Sequence, residues 1–304
     1  EPDSWYISFQ MVRLNSKKNH KEISSPIATG GGGYIFEYKI AATFFTLMIT
    51  NGRAPFFPNS TITKLSLQER KNGYDVDDLV IHLEGPRKNE KHKILCQVKH
   101  TCSFTKKDKT FSEVIAAAWN NYNNTELFNH STDKIVLITE RLSKTDIENT
   151  LSVLNDISQY SAFDFFIILN KAQFYSDEKR EKFQVLREAV IKANDNTKIS
   201  DEEIFNFYRC FSILGYDLDH SDSVDQSLLL SHLSQFCNQP SLAWKSVLEK
   251  VQQKEISGAS ITKEDVPDDI AYLFDKEKKQ QPSTSAQKKD KVKQSLQEDD
   301  LFFK

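Results

Sequence analysis

Ile94-Leu95-Cys96-Gln97-Val98-Lys99-His100, ILCQVKH, reads as a buried strand, yet it carries an amide and an ammonium two residues apart. Successive side chains in a strand alternate between faces, so Gln97 and Lys99 project on one side and Cys96, Val98 and His100 on the other. Burying an unpaired amide or ammonium is costly. Such a strand either lies polar-out at a sheet edge, where lysine guards against aggregation, or has something specific to coordinate.

Working outward, Asp78 to Leu83 (DLVIHL) reads as a partner strand, with EGPRKNEKH as the hairpin turn between them, and Thr61 to Gln68 (TITKLSLQ) alternates like a further strand. Upstream, IATGGGGYIFEYKIAATFFTLMITNG predicts a glycine-rich turn, an unusually apolar helix from about Tyr34 to Thr50, and an Asn-Gly stop. Downstream, Phe111 to Tyr122 predicts a helix with Phe111, Ile115, Trp119 and Tyr122 on one stripe. A strand at KIVLIT, a helix around 144 to 159 and a strand at FDFFIIL follow. The first 170 residues therefore read as α/β.

From about Lys171 the pattern is mostly helical, with starts at Ser176, followed by Asp177 and Glu178, and at Ser200, with Glu203 completing a capping box. Further helices are expected over 224–237 and 241–255. From Asp275 the run KEKKQQPSTSAQKKDKVKQSLQEDD has the composition of a disordered linker, and the closing DDLFFK reads as its chance apolar end. The expected division is a polar leader over 1–25, an α/β core over 26–170, a helical extension packed on it over 171–274, and the linker over 275–304.

A chain of 304 residues, 38% hydrophobic, suits one large domain or two ordinary ones. No apolar run reaches the length of about eighteen residues that marks a membrane helix. EPDSWYISF lacks the organisation of a signal peptide, so a cytoplasmic protein is expected. Cys96, Cys102, Cys210 and Cys237 form no CxxC spacing, which argues against a zinc ribbon and a secreted disulfide scaffold. A net charge of −3 and a pI near 6.2 give no global attraction to polyanions, so nucleic-acid affinity requires a local basic surface. The 21 phenylalanines sit in apolar runs and read as core.

The hairpin brings the start of the Asp78 strand near the end of the Lys99 strand, so Asp78, Gln97 and Lys99 can cluster. A carboxylate and an amide oxygen are hard ligands that suit Mg²⁺, and a neighbouring ammonium orients water and neutralises charge on a phosphate. In the upstream helix, Lys39, Thr43, Thr46 and Thr50 mark a polar face. Glu37 points instead toward the apolar side with Ile40, Ala41, Phe44 and Met48, a carboxylate that needs a partner.

The order Phe36-Glu37, Val76-Asp77-Asp78-Leu79-Val80 and Gln97-Val98-Lys99 resembles the PD-(D/E)xK nuclease superfamily, in the branch with QxK in place of ExK. The runs GGGGYIFEYKIAATFF, LQERKNGYDVDDLVI and QVKH, with Ala118-Trp119 on the next helix, are similar to the nuclease domain of bacterial antiphage effectors. That domain occurs in the CD-NTase-associated endonucleases of CBASS and at the N-terminus of STAND-type NTPase defence proteins. The likeness extends more loosely to about residue 250 through ITERLSKTDIENTL and FSILGYDLD, which resemble the helical part of those proteins.

The resemblance implies a restriction-endonuclease-like core and a Mg²⁺-dependent endodeoxyribonuclease, with Mn²⁺ as an alternative ion, acting on double-stranded DNA in the bacterial cytoplasm. Position by position it makes Asp78 the main metal ligand, Gln97 and the Val98 carbonyl further ligands, Lys99 the water-orienting cation and Glu37 an accessory acid. Asp77 is the rival to Asp78, which directly precedes the apolar strand. Gln97 replaces the commoner acid and lowers the charge of the site, which fits activity conditional on assembly or metal supply. A homo-oligomer is expected, together with a sensor or NTPase module in a longer chain or a partner subunit.

Plainer readings stand beside each residue: an exposed edge strand for Gln97 and Lys99, a salt bridge for Glu37, turn chemistry after Asn72-Gly73 for Asp75. Gly30 to Gly33 are followed by no Lys-Ser/Thr pair, so they are a helix entry and not a phosphate loop. His82, His92 and His100 have no metal spacing, and no GxSxG is present. Arg87, Lys88, Lys91 and Lys93, and Lys106, Lys107 and Lys109, border the expected site; the second set, with His100, supplies the candidate DNA contacts, although solvated turns explain them equally. The alternatives to a DNA nuclease are a non-catalytic DNA-binding or oligomerisation module of the same fold, and a nuclease acting on RNA.

Overall fold

In the computed structural model, Ile94–Lys99 lies near the middle of a six-stranded mixed sheet and is buried on both faces up to Val98. The structure describes residues 31–171, 173–256 and 260–274. The chain divides into units 1–32 and 33–304, and, the first two residues of α1 aside, the second holds everything below. The leader over 1–25, the linker over 275–304 and DDLFFK lie outside the described residues.

The elements run α1 (Gly31–Ile49), β1 (Thr61–Leu67), β2 (Leu79–Glu84), β3 (Lys91–Lys99), α2 (Lys109–Asn123), β4 (Lys134–Thr139), α3 (Ser152–Gln159), α4 (Ala162–Leu169), α5 (Asp177–Ala193) and α6 (Asp201–Cys210). After them come β5 (Phe211–Gly215), α7 (Val224–Ser234), α8 (Pro240–Ile256), β6 (Ser260–Thr262) and α9 (Asp268–Phe274). The strand order is β5-β4-β3-β2-β1-β6. β1, β2, β3 and β6 pair antiparallel, and β3, β4 and β5 pair parallel, so β3 joins the two halves.

Helices cover both faces, which is why β3 over Ile94 to Cys96 and β4 over Ile135 to Ile138 read as apolar runs. Leu95, Leu137 and Val80 face a layer holding α2, α3, α4, α5 and α6. Cys96, Val98, Val136 and Leu79 face a layer holding α1, α7 and α8. Phe111, Ile115, Trp119 and Tyr122 of α2 are all buried, as their stripe predicts, and the Ser200–Glu203 capping box is present at α6.

Three expectations fail for identifiable reasons. FDFFIIL is the helix α4 and not a strand. Ser161 caps it, accepting from Asp164 N; Phe165 and Leu169, four apart, are buried, while Phe163 is exposed. An unbroken apolar run fits a strand and a buried helix equally, and the Ser-x-x-Asp cap decides this one. FSILG, expected among helices, is strand β5, and with β6 the segment after Lys171 supplies two strands to the same sheet. The polar face of α1 is buried: Thr43, Thr46 and Thr50 are each less than 10% exposed. Thr43 and Thr50 satisfy their hydroxyls on the carbonyls one turn back, of Lys39 and Thr46, both at 2.8 Å, and Thr50 also meets His232 Nε2 at 2.9 Å. Thr43 and Thr50 therefore fit the buried face of α1 by bonding to their own helix, whereas Thr46 Oγ1 is buried without a hydrogen-bond partner.

Candidate functional site

Strand register assembles the cluster at the end of β3. Leu79 pairs with Cys96, so Asp78, just ahead of β2, falls opposite Gln97, with Lys99 on the diagonal. Asp78 Oδ2 accepts from Gln97 Nε2 at 2.5 Å, from the Val98 backbone N–H at 2.7 Å and from Lys99 Nζ at 3.3 Å. The Asp78 side chain is 12% exposed and that of Lys99 33%, so the carboxylate is nearly dry while the ammonium keeps contact with solvent. The site sits where antiparallel pairing gives way to parallel pairing, at the carboxyl end of β3.

The acid pair is held by its backbone. Glu69 N–H donates to the Asp77 carbonyl at 2.9 Å and Gln68 N–H to that of Asp78 at 3.4 Å, with Gln68 in the left-handed region at φ 54°. Asn121, buried on α2, accepts from Asp75 N–H at 3.0 Å and Val76 N–H at 2.7 Å, which pins the loop that delivers Asp77 and Asp78. Burial, helped by the neighbouring charge of Asp78, pushes the Asp77 carboxyl above its ordinary range.

The donor set fits a hard divalent cation. Two adjacent carboxylates, one of them strained by burial and like charge, gain from a neighbouring positive charge. Gln97 turns its Nε2 to Asp78, and half a turn of the amide presents Oε1 in its place. Asp78, Gln97 and the Val98 carbonyl, with Asp77 adjacent, are the groups that would hold the ion.

Glu37 is half-buried on α1, in the layer on the opposite face of the sheet from Gln97 and Lys99. Lys106 pairs with Glu188 at 2.6 Å and Lys109 with Glu113 at 3.3 Å, while Lys107 is exposed. Arg87, Lys88, Lys91 and Lys93 do not border the site: antiparallel register puts them at the turn end of the β2–β3 hairpin, a strand length away. Lys93 there is held by the Leu127 carbonyl and by Asp133.

His100, expected as a DNA contact, is engaged instead in an ion network that residue spacing does not reveal. Its Nε2 meets Asp219 Oδ2 at 2.6 Å and Glu140 Oε2 at 3.9 Å, and the Phe36 ring meets the imidazole edge-on at 5.5 Å. Lys39 Nζ donates to Asp219 Oδ1 and to the Leu218 carbonyl, both at 2.8 Å. Burial pushes the Asp219 carboxyl up, but its bonds to Lys39 and His100 outweigh that and hold it below the usual carboxylate range. His100, Glu140 and Asp219 bring ligand atoms within 4.8 Å of one another. Because Lys39 and His100 already occupy one Asp219 oxygen each, the group is read as an ion network. Among the described residues no helix is long and apolar enough to cross a membrane.

No family model matches the sequence, and no curated protein matches it. Among solved structures, the chain is similar to the Acinetobacter baumannii Cap4 SAVED/CARF-domain containing receptor with the cyclic trinucleotide 3'3'3'-cAAA, at 9% identity and a TM-score of 0.46 over 82% of this chain and 46% of that one. A second structure of that receptor gives 10% identity and a TM-score of 0.44 over 82% of this chain and 48% of that one. The chain thus spans about half the length of the structures it matches. Similarity at this level assigns neither ligand nor activity to this chain.

Proposed function

We propose that the chain is a Mg²⁺-dependent endonuclease domain of the PD-(D/E)xK type, with a restriction-endonuclease-like core, that hydrolyses duplex DNA in bacterial antiphage defence. The observation that carries this reading is the convergence of Gln97, Lys99 and the Val98 N–H on one nearly buried oxygen of Asp78. When bound at Asp78, Gln97 and the Val98 carbonyl, Mg²⁺ supplies charge neutralisation at the phosphodiester and eases ionisation of the attacking water. Lys99, anchored to Asp78 yet open to solvent, orients that water and stabilises charge on the phosphate. Asp77 adds negative charge that draws the cation in. Lys107, with Lys106 once freed from Glu188, meets the DNA backbone.

The domain works as a homo-oligomer, in the cytoplasm, coupled to a sensor or NTPase module in a longer chain or a partner subunit. A second reading, a non-catalytic DNA-binding or oligomerisation module, is favoured by one feature: Asp78 Oδ2 already takes three protein donors, from Lys99, Gln97 and Val98. Incubation with supercoiled plasmid and with RNA of similar length, in Mg²⁺, Mn²⁺ or EDTA, separates these. Metal-dependent nicking of plasmid that disappears in Asp78→Asn supports the DNA nuclease; cleavage of RNA alone moves the substrate. Plasmid retention in a gel shift without cleavage supports the module.

A further inference from the structure

We infer that Asp219 is a positioning residue of the nuclease centre, tying α1 through Lys39 to the strand end that carries Lys99. The inference rests on the nuclease reading above. One carboxylate takes a proton donor on each oxygen: Lys39, two residues beyond Glu37 on α1, at 2.8 Å, and His100, next in the chain after Lys99, at 2.6 Å. These partners lie 180 and 119 residues away in sequence, so the contact is a tertiary strut and not local turn chemistry.

The strut is rigid at both ends. The His100 carbonyl accepts from Glu140 N–H at 3.2 Å and from Thr139 Oγ1 at 3.4 Å, and the Phe36 ring backs the imidazole, so the peptide after Lys99 is held on several sides. Asp219 itself sits in a turn closed by Ser223 Oγ donating to the Asp217 carbonyl at 2.5 Å and Asp217 N–H donating to Asp225 Oδ2 at 2.7 Å, at the entry to α7. A carboxylate presented by a braced turn both to α1 and to the residue after Lys99 fixes the end of β3 against that helix. Displacing a catalytic group by about 1 Å costs up to about a hundredfold in rate. The strut also gives the segment after residue 171 a part in the site: it supplies the clamp while contributing none of the reacting groups.

The test is plasmid nicking in Mg²⁺ by the full chain carrying Asp219→Asn, Asp219→Glu or Asp265→Asn, with kcat, KM and Tm measured for each. Asp265 closes a capping box on Thr262 and pairs with Lys254 beside β6, at the sheet edge opposite β5, so its loss reports on stability alone. The expected result is a fall in kcat of about tenfold or more for Asp219→Asn, with KM within about twofold. Asp219→Glu is expected to recover part of the rate, and Asp265→Asn to lower Tm with wild-type kcat. Wild-type kcat in Asp219→Asn, or a parallel fall in Asp219→Asn and Asp265→Asn, overturns the positioning role while leaving the nuclease reading intact. Absence of nicking by the wild-type chain overturns both.

Discussion

The two ends of β3 each place a lysine beside an aspartate, and they differ in what else is there. At the turn end Lys93 pairs with Asp133 at 3.5 Å, and Asp133 also takes the Lys93 N–H at 3.1 Å and the Asn129 N–H at 3.0 Å. That carboxylate organises a loop, with its lysine bent onto the Leu127 carbonyl. At the other end Asp78 holds an amide, a backbone N–H and the partly exposed Lys99, next to a second acid whose carboxyl is already pushed up. The same pair of residue types is closed and structural in one place, open and electrostatically strained in the other. A lysine–aspartate contact therefore says little until the neighbours of its carboxylate are known.

Breaking the closed end should cost the most stability. Asp133→Ala leaves Lys93 and two backbone donors without their acceptor, and a loss of about 3 kcal/mol is expected by urea denaturation, with cleavage per folded molecule retained. Asn121→Ala, which orphans the N–H groups of Asp75 and Val76, is expected to cost about 2 kcal/mol in the same measurement and to lower nicking as the Asp77–Asp78 loop loosens.

Acid should act next, through His82. Burial, with Lys64 and Lys93 nearby, lowers its pKa to about 4, against an ordinary value of 6.5. The unfolded chain thus binds the proton first, and the stability present above pH 6.5 is lost as pH falls toward 4. After allowance for solvent around the ring, about 2 kcal/mol is expected, read as the difference between wild type and His82→Gln in denaturation midpoints at neutral pH and at the acid end of that window. Smallest in stability is Lys99→Ala, at under about 1 kcal/mol, because its ion pair is partly solvated. That variant sharpens the contrast, since its effect belongs to cleavage.

The cluster at the open end was legible because a hairpin makes cross-strand neighbours out of residues some twenty positions apart: Asp78, Gln97 and Lys99 follow from two strands and one turn. The same hairpin rule, applied to Arg87 through Lys93, would have removed them from the site, since a turn and the open strand ends lie at opposite poles. Alternation carried β1, and helical stripes carried α2. FDFFIIL misled because an apolar run has no period, and its cap at Ser161 was the available signal. FSILG was hidden by the helices around it; nothing within five residues says that they join a parallel sheet. Asp219 and Asn121 were out of reach for a different reason. Their partners lie tens to hundreds of residues away, and only the closed sheet with helices on both faces brings them together.

If the open end of β3 is a catalytic centre, Lys99 and not Lys93 sets the rate, and the deciding measurement is supercoiled plasmid nicking in Mg²⁺ by Lys99→Ala beside Lys93→Ala, at equal folded concentration. A fall of about a hundredfold or more for Lys99→Ala, with Lys93→Ala near the wild-type rate, is the expected result. Equal rates in the two variants would contradict a catalytic centre at the end of β3.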